Sequence, residues 1–286
     1  MPRIRVVTDS ACDIPENLVR QLDIAVVPLR LVWGSETYLD RSGISMEETL
    51  ARVRAGLVPE VESPPVEEFS RTYRGLRESA DGVISLHHSS RLSDTYTSAA
   101  LAREAFGPVG AGGPFPVAVV DTQSVSMGLG WVALAVAKAA EGGMDLPRLV
   151  GLAGRLSGQS HFAFFTEHTE ILLNSGRVGR LAAQADSLGS LRPLFHLDEG
   201  SVAVYERTRT RAKARDALYN FVEDFPKIGE LCVVHTNITQ NDVEHLLTRI
   251  GAIYPRERVM IVRAGPGLAS WLGPDAMGVA VLEGEE

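Results

Sequence analysis

Ser85-Leu86-His87-His88-Ser89-Ser90-Arg91-Leu92-Ser93-Asp94-Thr95-Tyr96-Thr97-Ser98 takes the chain from a short apolar run, through a loop of hydroxyls, into a helix. Val83 to Leu86 reads as a buried strand, and Asp94 to Phe106 as a helix with Tyr96, Ala99, Ala100, Leu101 and Phe106 on its apolar side. Ser93 stands where an N-cap belongs. A strand-loop-helix junction leaves free backbone N–H groups at the helix N-terminus, beyond the carboxyl edge of a sheet, where an acidic group can dock. Ser89, Ser90 and Ser93 would add hydroxyl donors there. The same pattern also fits a serine that only caps its own helix, so the loop has to be read with the rest of the chain.

Working outward, the N-terminal half alternates strands and helices. Arg3 to Thr8 is a strand with Asp9-Ser10 at its carboxyl end, and Asp13, Pro15 and Glu16 start a helix. Ile24 to Pro28 is a second strand, and Leu31-Val32-Trp33 with Thr37-Tyr38-Leu39 forms a hairpin about Gly34. Ser45 and Glu48 make a capping box for a helix that Gly56 ends. Ser63 before Pro64 is a cap candidate for the helix through Phe69, Tyr73 and Leu76. Gly107 to Pro114 lacks the Lys-Ser or Lys-Thr of a phosphate loop and reads as a flexible connection. Val117 to Val120 is a strand that ends in Asp121-Thr122-Gln123-Ser124, and the helix from Met127 to Ala140 is apolar almost all round, so it must be buried.

The second half changes character. Ser160 to Thr166 is a strand, Thr169 to Leu173 a short helix, and Ser175 to Arg180 a glycine-arginine turn. Leu191 to Leu197 and Ser201 to Arg207 are strands joined through Asp198-Glu199-Gly200, and a hairpin implies an antiparallel or mixed sheet. A boundary near residue 155 is therefore expected, separating a domain of residues 1–155 that carries the polar loop from one of 156–286. Leu231 to His235 is a strand, Asn241 to Ile250 a helix, and Arg258 to Val262 a strand running into the loop Arg263-Ala264-Gly265-Pro266-Gly267. Arg207, Arg209, Arg211, Lys213 and Arg215 read as a solvated face or a dock for an acidic partner.

Composition narrows the function. With 286 residues and 45% hydrophobic content the chain can bury a sizeable core, and a net charge of −8 argues against a sequence-independent grip on nucleic acid. No apolar run is long enough to span a membrane, and Met1-Pro2-Arg3-Ile4 leads into a strand rather than a signal peptide, so a cytoplasmic protein is expected. Cys12 and Cys232 stand apart, the histidines lack metal-ligand spacing, and His87 and His88 are expected to diverge as neighbours. Neither a metal nor a cofactor is expected.

Taken together, Val7-Thr8-Asp9-Ser10, Val27-Pro28-Leu29, Ser89 to Tyr96, Val120-Asp121-Thr122, Ser126 to Gly130, Gly176 to Gly179 and Gly265-Pro266-Gly267 resemble, in order, the motifs of the DegV family of bacterial fatty-acid-binding proteins. The resemblance implies a two-domain α/β protein, with an N-terminal Rossmann-like parallel sheet and a C-terminal mixed or antiparallel sheet, each with helices. It implies one long-chain fatty acid, its tail in an apolar tunnel and its carboxylate near the domain junction. It also implies a role as the lipid-presenting subunit of a fatty-acid kinase, whose ATP-binding partner phosphorylates that carboxylate for phospholipid synthesis. The family's carboxylate-binding serine falls on Ser93, and its Thr-Ser-Gln-Pro-Ser segment on Val61 to Pro65, which brings in Ser63.

Three positions depart from the family. Val61 stands for a carboxylate-binding threonine, Arg263 for the histidine before Gly-Pro-Gly, and Asp94 for the glycine after the serine. A lost hydrogen bond to a charged group costs about 1.5–3 kcal/mol, and a guanidinium can replace it bidentately, so Arg263 is expected to compensate for Val61, and Asp94, whose charge opposes an anion, is expected to turn to solvent or pair with Arg263. Asp9, Ser10 and Arg177 are expected at the partner face or at the carboxylate site. Burying a sixteen-carbon tail is worth on the order of 12 kcal/mol before ordering costs, more than the few kcal/mol needed to desolvate a carboxylate, which favours a lipid over a small acid. The rival readings are a serine hydrolase or acyl transferase using Ser93 or Ser90 with His87 or His88, and a lipid carrier without a kinase partner. The sequence lacks the Gly-x-Ser-x-Gly elbow that would favour the first.

Overall fold

The structure, a computed structural model, describes residues 2–106, 115–178, 191–237 and 240–284. In the first half the elements run β1 (Ile4–Asp9), a 3-10 turn (Ser10–Cys12), α1 (Glu16–Gln21), β2 (Ala25–Val27), β3 (Arg30–Trp33), β4 (Glu36–Leu39), α2 (Met46–Arg54), β5 (Glu60–Glu62), α3 (Val66–Leu76), β6 (Gly82–His87), α4 (Thr95–Glu104) and β7 (Val117–Asp121). There follow α5 (Met127–Glu141), α6 (Leu146–Gly158), β8 (Ser160–Phe165), α7 (Thr169–Asn174), β9 (Leu194–Asp198), β10 (Ser201–Glu206), α8 (Arg211–Glu223), β11 (Ile228–His235), α9 (Gln240–Ile250), β12 (Met260–Arg263), α10 (Pro266–Leu272) and β13 (Met277–Glu283). The α/β class is as expected from sequence.

Strands β2-β1-β6-β7 form a parallel sheet. The order β10-β9-β8-β13-β11-β12 forms a six-stranded mixed sheet, antiparallel except for the parallel pair β11 and β12. A small antiparallel sheet, β4-β3-β5, contains the hairpin about Gly34, whose φ is 60°. Side chains alternate between faces along a strand, and here the alternation sorts residues into layers. On β1 and β6, Ile4, Val6, Ile84 and Leu86 face α5 and α6, whereas Val7 and Val83 face α3 and α4. On β8, Phe162 and Phe164 face α5, while Ala163 and Phe165 face α8 and α9.

Helix α5 is thus shared by both sheets, which explains an apolar surface on every side. Trp131 Nε1 donates to Ala280 O at 3.3 Å on the six-stranded sheet, and Ser160 Oγ donates to Gly128 O at 2.7 Å. On the other side a Cβ at Gly130 would lie 2.7 Å from Cys12 O, so glycine is required for that close approach.

Several local expectations need correction. Helix α4 begins at Thr95 with Asp94 as its cap residue, and Ser93 lies one position outside. Ser63 does not cap α3, because Pro65 occupies the cap position and no side chain accepts there. The Gly-Pro-Gly segment opens a helix, α10, with Gly265 at its N-cap. Strands β5 and β13 were not legible in the sequence; the first has three residues, and the second is a continuous apolar run in a sheet covered on both faces. The basic cluster is not simply solvated: Arg211 pairs with Glu167 and Asp242 at 3.1 Å each, and Arg215 with Asp242 at 3.1 Å. The connection Gly107 to Pro114 and residues Gly179 and Arg180 lie outside the described residues.

Candidate functional site

The hydroxyl loop sits at the carboxyl end of β6, above a fully buried carboxylate supplied by β1. Asp9 Oδ1 accepts from Ala11 N at 3.1 Å and from His88 Nδ1 at 2.9 Å. Its Oδ2 accepts from His87 Nδ1 at 2.9 Å and from His88 N at 3.1 Å. His87 and His88 therefore do not diverge, as neighbours on a strand would, because β6 ends at His87 and the turn brings both rings onto Asp9. Burial would raise the Asp9 pKa, but His88 and His87 outweigh it and hold the carboxyl well below the usual carboxylate range.

Each ring passes its outer nitrogen to a serine. His87 Nε2 lies 2.7 Å from Ser85 Oγ, which also accepts from the buried Tyr73 hydroxyl at 2.9 Å. His88 Nε2 lies 2.6 Å from Ser93 Oγ. Ser93 is partly buried, takes the Thr95 N–H at 3.2 Å and lies 3.0 Å from Thr95 Oγ1. Ser89 faces elsewhere: its hydroxyl donates at 2.7 Å to Gly200 O, at the tip of the β9–β10 hairpin, and so clamps the second half onto the first. Ser90 and Asp94 are exposed.

Arg177 comes to this loop from the second half. Its Nη1 donates to Leu92 O at 2.5 Å, its Nη2 donates to Val61 O, and its guanidinium lies 5.6 Å over the Trp271 ring. Burial lowers its pKa, while Glu60 and Asp94 favour the charge through space. Among the described residues no carboxylate forms an ion pair with it. Val61 is buried and Ser63 partly buried beside it in sequence. Arg177 thus brings the Val61 and Leu92 backbones together beside Ser93 and Asp94, with the ring of His88 against Ser93.

Arg263 is not part of that group. It ends β12 with an exposed side chain, Nη1 2.5 Å from Glu47 Oε1 and Nε donating to Thr236 O at 3.2 Å, so it makes no pair with Asp94. Position 263 therefore does not supply the contact missing at Val61; the guanidinium that bonds to Val61 belongs to Arg177.

A pair of buried carboxylates holds the Gly-Pro-Gly segment. Asp13 accepts from Ser126 Oγ at 2.6 Å and from Gly265 N at 2.7 Å, with Arg41 Nη1 at 4.0 Å. Asp40 accepts from Ser10 Oγ at 2.6 Å and from Gly267 N at 2.9 Å. Burial pushes both carboxyls up, Asp40 to about 6. Ser10 is thereby fixed under the junction and is buried, as is Asp9, so neither can form an exposed partner face. The sequence reading missed Asp13 and Asp40: one was taken as a helix start, and neither has a local motif that signals its distant partner.

Chemically, this cluster offers a serine hydroxyl, a helix N-terminus and a guanidinium that pairs with no carboxylate among the described residues, which suits an acid head group. The Asp9–His88–Ser93 line also has the spacing of a nucleophilic triad. Among the described residues no cluster has the make-up of a metal site. No helix of the described residues is long and apolar enough to cross a membrane.

A family model described as "Uncharacterised protein, DegV family" matches residues 3–284. A DegV domain-containing protein of Streptomyces coelicolor is 33% identical over 223 residues, covering 77% of this chain and 76% of its own. Among solved structures, a DegV family protein from Thermus thermophilus, described by its fatty acid binding, superposes with a TM-score of 0.87 at 32% identity, covering 98% of this chain and 99% of that one. DegV of Bacillus subtilis, described as a fatty acid binding protein, gives a TM-score of 0.85 at 25% identity, covering 99% of this chain and 100% of that one.

Proposed function

The chain belongs to the DegV family, and from that premise we propose that it binds one long-chain fatty acid and presents the carboxylate to a separate ATP-dependent kinase subunit for acyl-phosphate formation. The tail lies in an apolar tunnel reached from the opening at Ser93, and the head group takes hydrogen bonds from Ser93 and Arg177. The protein itself carries no catalytic centre, needs no metal or cofactor, and works in the cytoplasm.

The observation that carries this reading is the Arg177 guanidinium, which reaches Leu92 and Val61 beside Ser93 with no ion-pair partner among the described residues. A partly buried cation is retained where an anion completes it. Leu92 and Val61 belong to the same apolar core as α5, so the donors sit at its polar edge. The experiment is mass spectrometry of an organic extract of the purified protein beside a native mass spectrum. The expected result is a fatty acid near one per chain. An empty protein that takes up no added fatty acid refutes the reading. Capture of an ATP-binding partner, and ATP-dependent acyl-phosphate formation with it, tests the presenting role; without them the protein is a lipid carrier alone.

The Asp9–His88–Ser93 line favours a second reading, a hydrolase or acyl transferase acting alone. The chain lacks the Gly-x-Ser-x-Gly elbow, yet His88 Nε2 is 2.6 Å from Ser93 Oγ. A fluorophosphonate probe that labels Ser93, and fails to label a His88→Gln variant, would establish it; an unlabelled Ser93 leaves the carrier.

A further inference from the structure

Asp9 receives two imidazole N–H groups, one from each histidine, and the two rings are not equivalent at their other nitrogen. With Nδ1–H donated to Asp9, a neutral ring presents Nε2 as an acceptor, and a protonated ring presents it as a donor. At His87 only the acceptor role fits. Ser85 Oγ already takes the Tyr73 hydroxyl at 2.9 Å, and its own proton has no other acceptor than His87 Nε2 at 2.7 Å among the described residues. Burial raises the Tyr73 hydroxyl well above its ordinary value, so that proton stays in place, and His87 Nε2 is left to accept from Ser85.

At His88 both roles fit. Ser93 can send its proton to His88 Nε2 at 2.6 Å, or it can accept a proton from Nε2 and turn its own toward Thr95 Oγ1 at 3.0 Å or toward a ligand at the opening. A serine has one proton. While His88 is neutral, that proton is spent inward, and a carboxylate arriving at Ser93 meets lone pairs instead of a donor. When His88 is protonated, the Ser93 hydroxyl is free to face outward.

We infer that His88 takes up a proton when a carboxylate binds at Ser93, so that this ring sets the preference of the opening for acids over neutral head groups. This rests on the fatty-acid reading and adds to it the proton and the residue that holds it. The charges facing the ring are compatible. Asp9, on β1, is ionised against Nδ1 and stabilises an imidazolium. His87 reaches the same carboxylate from β6, with its outer nitrogen committed to Ser85. Just ahead of α4 the Ser93 hydroxyl meets the ring's outer nitrogen, with Thr95 Oγ1 3.0 Å from Ser93 Oγ and Asp94 exposed. Arg177 opposes a second cation, and an anionic ligand between the two removes that opposition.

The test is calorimetric titration of the full chain with monomeric dodecanoate at pH 7.5, in buffers of different ionisation enthalpy, together with its affinity from pH 6 to 9. The expected result is uptake of roughly one proton per ligand and an affinity that falls by up to about tenfold per pH unit on the alkaline side. Dodecanol, which has no charge to balance, is expected to bind without proton uptake. His88→Leu and His88→Gln are expected to bind dodecanoate without uptake and without a pH slope, the glutamine keeping a donor for Asp9 should leucine fail to fold. Dodecanoate binding by the unaltered protein with no buffer dependence overturns the inference and leaves the carrier reading standing. Uptake that persists in His88→Gln places the proton elsewhere and also overturns it. No dodecanoate binding at any pH overturns both.

Discussion

Asp40→Asn is expected to stabilise the protein at neutral pH. Asp40 is buried, and its carboxyl is pushed up by burial from 3.8 to about 6, with the nearby charge of Asp13 adding to the rise; Ser10, Gly267 and Arg41 pull the other way without cancelling it. Below pH 3.8 the group is neutral in both folded and unfolded chains. Between 3.8 and about 6 the unfolded chain releases its proton while the folded one keeps it, so the native state binds more protons and loses stability as pH rises. Above that window the deficit is constant, and a shift of about two units at 1.36 kcal/mol each makes it about 3 kcal/mol. Asparagine removes the charge and keeps the contacts: its carbonyl can take Gly267 N, now 2.9 Å from Asp40, and its amide can donate to a free lone pair of Ser10 Oγ. Urea unfolding of both proteins from pH 4 to 8 provides the assay. The difference should start near zero and grow in favour of the variant to about 3 kcal/mol by pH 7. A difference that stays flat, or a variant that is less stable at pH 7, would refute the reasoning, since the ionised carboxylate would then be the form the junction prefers.

Arg263→Ala is expected to change fatty-acid affinity less than about twofold and stability by less than about 0.5 kcal/mol, because an exposed ion pair with Glu47 contributes little; a lost ligand would return position 263 to the site. Arg177→Met is expected to weaken fatty-acid binding at least about tenfold and to cost about 1–3 kcal/mol in urea unfolding, since the Leu92 and Val61 carbonyls lose their donor. Gly130→Ala is expected to destabilise by about 1–3 kcal/mol by the same measurement, despite the better helix propensity of alanine, because the Cβ would lie 2.7 Å from the Cys12 carbonyl. An Arg177→Met variant that binds as well as the parent, or a more stable Gly130→Ala, would contradict these contacts.

Much of the fold was legible without coordinates, because apolar periodicity states which faces of an element are dry. The all-round apolar run from Met127 to Ala140 announced a helix with no exposed side, and α5 lies between two sheets. Asp198-Glu199-Gly200 announced a hairpin, and Glu199 and Gly200 have φ of 46° and 80°, as a tight turn of the twist-matched kind requires. The hydroxyl loop was likewise visible as a strand-loop-helix junction. Its partners were not. Asp9 meets His88 across 79 residues, Asp40 meets Gly267 across 227, and Asp13 meets Gly265 across 252. A local pattern records what a residue does to its own helix or strand, whereas the direction of a carboxylate depends on which distant backbone N–H arrives beside it. The same limit misplaced Arg263, whose position in the chain matched a binding residue while its strand faces Glu47 and water, and it left Arg177 unassigned until the packing of the second half brought it to Val61 and Leu92. The sequence by itself determined most of the elements, their buried faces and the polar loop, though not β5 or β13. Only the tertiary structure decided which charges meet, because burial and partnership are properties of the assembled layers.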